Sequence, residues 1–270
     1  MDLLEQRTNA WFAARKGKLT ASNLGALLGL VSWTSRTEAY RRMMGWSVFQ
    51  GNPACDYGIK MEDAAIASYS QETANRVEAS GLHVHKDAKW IAGSPDGLVG
   101  ADGMIEVKCP FYNKVPHKQI PNYYYVQINC LLECCNREWC DFVSWTPGQM
   151  SVFRVMRDPV LFKWLLENPY KDIWRQVQEN RVGITPFKTG EKQVIEEAIR
   201  ESMSRCIHYD YWERNAVVSA AWEPEICPFP QLRCKNHEYD EFLTERTVDD
   251  SGDSKRLSSI PSSEPSLVQT

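Results

Sequence analysis

Ser94-Pro95-Asp96-Gly97-Leu98-Val99 and Met104-Ile105-Glu106-Val107-Lys108, joined by Gly100-Ala101-Asp102-Gly103, are the stretches on which the fold turns. The second alternates in character. Side chains on a strand point to opposite faces in turn, so Ile105 and Val107 share one face while Glu106 and Lys108 share the other. The glycine-bounded segment between the stretches is a turn signal that folds the chain back into a hairpin or meander. Asp96 is then expected beside Glu106 on the neighbouring strand. Glu106 and Lys108 alone would equally describe a surface ion pair; the second carboxylate makes them a candidate site.

Working outward, the periodicity changes on both sides of this hairpin. Ser22 precedes Asn23-Leu24-Gly25-Ala26-Leu27-Leu28 and is expected to cap a helix. Thr37–Met44 and Gly58–Ala74 read as further helices. Leu82-His83-Val84-His85 and Trp90-Ile91-Ala92 read as short strands. Residues 122–133 return to helical composition. Two more strands, 141–146 and 150–155, are expected about a Pro147-Gly148 turn, with long helices over roughly 159–181 and 190–206. This order predicts an α/β fold with a mixed central sheet flanked by helices. A single domain is expected over 1–244, its helical C-terminal part at about 159–244. The Ser-, Pro- and Asp-rich residues 245–270 are expected to form a disordered tail.

The chain has 270 residues, 43% of them hydrophobic, which suffices for one large core. No apolar run approaches the roughly 20 residues that span a membrane. The first residues lack a basic-then-apolar leader, so an intracellular, non-secreted protein is expected. The nine cysteines are read mainly as reduced packing thiols; Cys227, Cys234 and His237 could hold a metal, though their spacing matches no common zinc pattern. The net charge of −4 argues mildly against a surface that coats nucleic acid. Residues 1–60 are locally basic, however, carrying Arg7, Arg15, Lys16, Lys18, Arg36, Arg41, Arg42 and Lys60 against Asp2, Glu5, Glu38 and Asp56. Such a patch can hold DNA, or can be an ordinary solvated face.

Two adjacent carboxylates repel unless a cation holds them, and hard oxygen donors suit Mg²⁺, with Mn²⁺ as a substitute. Lys108 beside them could position or deprotonate an attacking water, or stabilise phosphate charge. Glu62 falls on the apolar stripe of its helix, where it is either a third ligand or an edge residue reaching solvent. Gln127 shares a stripe with Tyr123, Tyr124, Cys130, Leu131 and Cys134, so its amide needs partners; a catalytic carboxylate or the backbone would serve. Upstream, Arg15 with Thr20 and Ser22 could form an anion site at a helix start, or a plain cap and a surface arginine.

Five blocks occur in order across residues 11–130: Trp11…Arg15…Thr20-Ala21-Ser22; Gly58-x-x-x-Glu62 with Ala65 and Tyr69; Ser94 to Val99; Glu106-Val107-Lys108-Cys109-Pro110; and Tyr124-Tyr125-Val126-Gln127. Together they resemble the lambda-type, or YqaJ-like, viral exonucleases of the PD-(D/E)XK nuclease superfamily, with its restriction-endonuclease-like core. The resemblance implies a Mg²⁺-dependent 5′→3′ exonuclease that acts on double-stranded DNA ends and leaves 3′ single-stranded tails for recombination by annealing or genome processing. It implies metal at Asp96, Glu106, Glu62 and the Val107 carbonyl, catalysis by Lys108 with Gln127, and a 5′-phosphate held by Arg15, Ser22 and Thr20. It also implies a homo-trimer and a single-strand annealing partner. The family often carries a second glutamine where this chain has Asn129, a change expected to affect substrate positioning and to leave the metal site untouched. Two alternatives remain: a RecB-like nuclease with an iron–sulfur cluster, and a catalytically inactive DNA-binding or assembly protein of the same fold.

Overall fold

The computed structural model describes residues 4–112, 114–208 and 214–215. The expected tail at 245–270, the expected helical region beyond 215, and Cys227, Cys234 and His237 lie outside the described residues. In chain order the first half comprises α1 (Asn9–Arg15), β1 (Leu19–Thr20), α2 (Ala21–Leu27), α3 (Arg36–Met44), α4 (Pro53–Thr73), β2 (Val77–Glu78), β3 (His83–Val84), β4 (Ile91–Gly93), β5 (Gly97–Val99) and β6 (Gly103–Lys108). The second half comprises α5 (Asn122–Cys135), β7 (Trp139–Thr146), β8 (Gln149–Met156), α6 (Pro159–Leu165), a π turn (Leu166–Tyr170), α7 (Lys171–Gln178), α8 (Glu191–Cys206), β9 (Ile207–His208) and β10 (Arg214–Asn215).

The main sheet runs β10-β8-β7-β6-β5-β2, with β9 also on β8. It is mixed. Strands β5 and β6 are antiparallel, with Gly97 opposite Ile105 and Val99 opposite Gly103, as the glycine-bounded turn demands. Strands β6 and β7 are parallel, joined through α5 as the crossover helix. A small second sheet, β1-β4-β3, holds the two short strands expected at 82–92.

The alternation read in β6 decides the layering. Ile105 and Val107 pack on the α4 side with Met61, Ala65, Tyr69, Val143, Trp145 and Val152. Met104 belongs to the opposite core with Phe142, Phe153 and the buried face of α5 (Tyr125, Ile128, Leu131, Leu132). Burying a large side chain of this kind stabilises the fold by roughly 1.5–3 kcal/mol. Glu106 and Lys108 share the Met104 parity and so face α5.

Several boundaries differ from expectation for local reasons. Helix α4 starts at Pro53 rather than Gly58, because Asn52 accepts the Cys55 N–H at 2.8 Å and Pro53 suits the first helical position. Ser22 does not cap α2. That position is Thr20, whose backbone is extended and whose side chain makes no capping bond, leaving Ser22 within the first turn. The helix expected at 159–181 is broken by the π turn, which accommodates Pro169. The seven described cysteines are free; Cys130, Cys134 and Cys140 are buried, whereas Cys55 is exposed.

Gly103 is required by close approach. A Cβ there would collide with the Trp139 ring on the neighbouring strand. We predict that Gly103→Ala lowers unfolding stability by about 1–3 kcal/mol through overpacking, read as a lower denaturant midpoint; an unchanged midpoint would contradict this packing.

Candidate active site

Antiparallel pairing of β5 with β6 brings Asp96, one residue before β5, to Glu106. The Asp96 carboxylate accepts the Val107 backbone N–H at 2.7 Å, which ties it to β6. The Glu106 side chain is only 2% exposed. Its Oε1 accepts hydrogen bonds from Gln127 Nε2 on α5, at 2.6 Å, and from the Lys108 ammonium. Its Oε2 is buried with no partner among the described residues. Lys108 Nζ also donates to the Val107 carbonyl at 3.2 Å and lies 5.0 Å from the centre of the Tyr124 ring. From the far side of the sheet, α4 contributes Glu62, which accepts from Arg7 at 2.6 Å.

These carboxylates titrate abnormally. Burial, and then the proximity of Asp96, hold Glu106 well above the usual carboxylate range. Asp96 is also raised, by burial, against the opposing pull of Lys108. Glu62 is raised by burial and by Asp96. Burial disfavours the Lys108 ammonium, but Glu106 and Asp96 outweigh it and push its pKa upward. Burial thus raises all three acids, and repulsion from Asp96 adds to it at Glu106 and Glu62, as expected of carboxylates in one region.

Among the described residues, no three His, Cys, Asp or Glu side chains converge closely enough to hold an ion. Each carboxylate is turned to its own donor: Asp96 to a backbone N–H, Glu106 to Lys108 and Gln127, Glu62 to Arg7. The donor set nevertheless fits a hard divalent cation. It is all oxygen, and Glu106 Oε2 is an unused buried acceptor. The Lys108 ammonium already rests against Glu106 and the Val107 carbonyl, where it stands in for positive charge.

The upstream residues form a second cluster. Arg15 donates to Ser22 Oγ at 2.8 Å and to Thr20 Oγ1 at 3.4 Å, with its guanidinium 4.0 Å above the Trp11 ring. Burial lowers its pKa to about 10. Trp11 Nε1 donates in turn to Ser94 Oγ at 2.9 Å, two residues before Asp96. All the residues expected at a site thus fall into two groups, linked through Trp11 and Ser94.

Asn129 lies apart from the carboxylate cluster. It is 1% exposed and donates to the Asp158 carbonyl at 3.2 Å. Two residues beyond Gln127, it lies on another side of the helix and takes no part in the carboxylate cluster. Sequence reasoning missed Arg7 and Tyr124 as members of the site. Arg7 sits in the left-handed region (φ 66°) without being glycine, so nothing local announces it. Tyr124 is read on the same helical stripe as Gln127, but its contact with Lys108 is not foreseen there.

Residues 10–138 match the YqaJ-like viral recombinase domain. The blocks noted at 11–130 fall inside it. Over 74% of its length the chain matches the whole of an alkaline exonuclease, LHK-Exo, from Laribacter hongkongensis, at 27% identity and a TM-score of 0.52. LHK-Exo in complex with dAMP matches at 26% identity and a TM-score of 0.50, covering 73% of this chain and 97% of that one. An uncharacterized protein, R354, of Acanthamoeba polyphaga mimivirus is 24% identical over 158 residues, which are 52% of this chain. The matched part is 29% of that relative's length.

Lys108 is the internal counter-charge of this carboxylate cluster. We predict that Lys108→Met destabilises the metal-free protein by about 3 kcal/mol, because Glu106 is left buried and unpaired. Adding Glu106→Gln should restore more than half of that loss. A double-mutant cycle with no coupling would contradict the pairing.

Proposed function

We propose that this chain is a divalent-metal-dependent exonuclease that degrades one strand of linear double-stranded DNA in the 5′→3′ direction, leaving a 3′ single-stranded tail for recombination. The observation that carries the reading is the joining of Asp96, Glu106, Lys108 and Gln127 by direct hydrogen bonds and strand register. The YqaJ-like match and the likeness to an alkaline exonuclease support a recombination exonuclease; that a solved form of that enzyme holds dAMP is consistent with a deoxynucleotide product.

Asp96, Glu106 and the Val107 carbonyl, with Glu62, would hold Mg²⁺, which polarises a phosphoryl oxygen and neutralises charge on the leaving oxygen. Gln127 fixes the rotamer of Glu106 through its 2.6 Å bond. Lys108 presents N–H donors beside Glu106, suited to orient an attacking water and to meet negative charge developing on the phosphate. Arg15, with Ser22 and Thr20, offers a guanidinium and hydroxyls to a 5′-terminal phosphate. The stacked Trp11 ring holds that guanidinium in place. A trimer around the duplex, a single-strand annealing partner and action inside a cell or infected host complete the reading; no helix among the described residues is long and apolar enough to cross a membrane.

The test is degradation of a 5′-phosphorylated linear duplex with Mg²⁺. Asp96→Ala should reduce the rate by about a thousandfold or more. Equal rates for wild type and variant would sink the nuclease reading. On 5′-hydroxyl ends the wild type should be slower, and Arg15→Ala should erase the difference. A preference that survives in Arg15→Ala would remove Arg15 from that role.

A further inference from the structure

Trp33 lies between α2 and α3 and is 60% exposed, which is unusual for so large an apolar side chain. It is not loose. Its ring meets Tyr123 edge-on, with centroids 5.0 Å apart and planes at 88°. Tyr123 contacts Tyr124 at 4.4 Å, and the Tyr124 ring lies 5.0 Å from the Lys108 ammonium. Four side chains therefore run in unbroken contact from the catalytic lysine to the surface: Lys108, Tyr124, Tyr123, Trp33.

The base of this track is built in. A Cβ on Gly25 would come within 2.6 Å of Tyr123 Cβ, so only glycine lets α2 approach the start of α5 this closely. Gly25 lies three residues after Ser22 and so on the same helix face. The track thus rises beside the helix face that carries the Arg15–Ser22 cluster, and ends at the carboxylates. An exposed indole braced edge-on by Tyr123, on a track that ends at Lys108, suits single-stranded nucleic acid. The cations take phosphates and the ring stacks on a base. A protein partner would find little here besides one ring.

We infer that Trp33, supported by Tyr123, is a base-stacking platform that positions an unpaired nucleotide of the DNA strand at the mouth of the active site. The inference rests on the DNA exonuclease reading. Because stacking needs bases, not merely phosphates, it separates from electrostatic attraction.

The experiment measures binding without cleavage, by fluorescence anisotropy in EDTA, on the full chain. The probes are a DNA oligonucleotide of roughly ten nucleotides and an abasic strand with the same number of phosphates. Wild type should bind the base-bearing strand about tenfold more tightly. Trp33→Ala should bind both within about twofold, while Trp33→Phe keeps most of the preference. An unchanged thermal midpoint in Trp33→Ala excludes a folding defect. Equal binding of the two strands by wild type, or a full preference in Trp33→Ala, overturns the platform. If the protein degrades duplex DNA but ignores bases, the platform alone falls. If it prefers bases through Trp33 but cuts nothing, the nuclease reading falls, and with it the platform's role at an active site, leaving Trp33 as a base-stacking residue only.

Discussion

The ion pair between Glu106 and Lys108, set against α5, is the constraint around which this molecule is arranged. Both groups sit on one strand, two residues apart, because a strand returns to the same face every second residue. Both are largely withdrawn from water. A single ion pair there is barely self-sustaining, since desolvating two charges consumes most of what their attraction returns. Asp96 then adds a second negative charge against Glu106, and Glu62 a third nearby. A fold selected for stability alone would not place them so. A divalent cation, as proposed above, would offset this surplus of buried negative charge, which Lys108 and Arg7 balance only in part and which leaves Glu106 Oε2 unpartnered among the described residues.

The surrounding architecture keeps this costly arrangement in register. Pairing of β5 with β6 sets Asp96 against Glu106. The parallel β7 strand fixes β6 from its other side, Glu106 opposite Phe142 and Lys108 opposite Ser144. Helix α5, the crossover between them, delivers Gln127 to Glu106 and Tyr124 to Lys108 from one face. The apolar layers on either side of the sheet are what stabilise the molecule, and their tight packing lets the polar cluster be held rather than relaxed.

Much of this was legible in sequence because it rests on period. Alternation in Met104–Lys108 told which residues share a face, and the glycine-bounded turn told that Asp96 returns to Glu106. Spacing along α5 put Gln127 where a buried amide needs a partner, and Glu106 proved to be that partner. What sequence could not give were contacts between distant segments without a periodic signal. Arg7 reaches Glu62 over 55 residues from a left-handed backbone position. Trp33 meets Tyr123 only because Gly25 allows two helices to close up. Helix boundaries failed where a cap competed with composition: Asn52 and Pro53 start α4 early, and Thr20 displaces Ser22 from the cap position.

The central proposal is that Asp96 and Glu106 hold a divalent cation. Calorimetric titration of Mn²⁺ into the full chain, without DNA, tests it most directly. Wild type should bind with measurable heat and saturate, while Asp96→Ala should bind roughly tenfold or more weakly. The same heat and affinity in both proteins would contradict the account, because the buried carboxylates would then need another explanation.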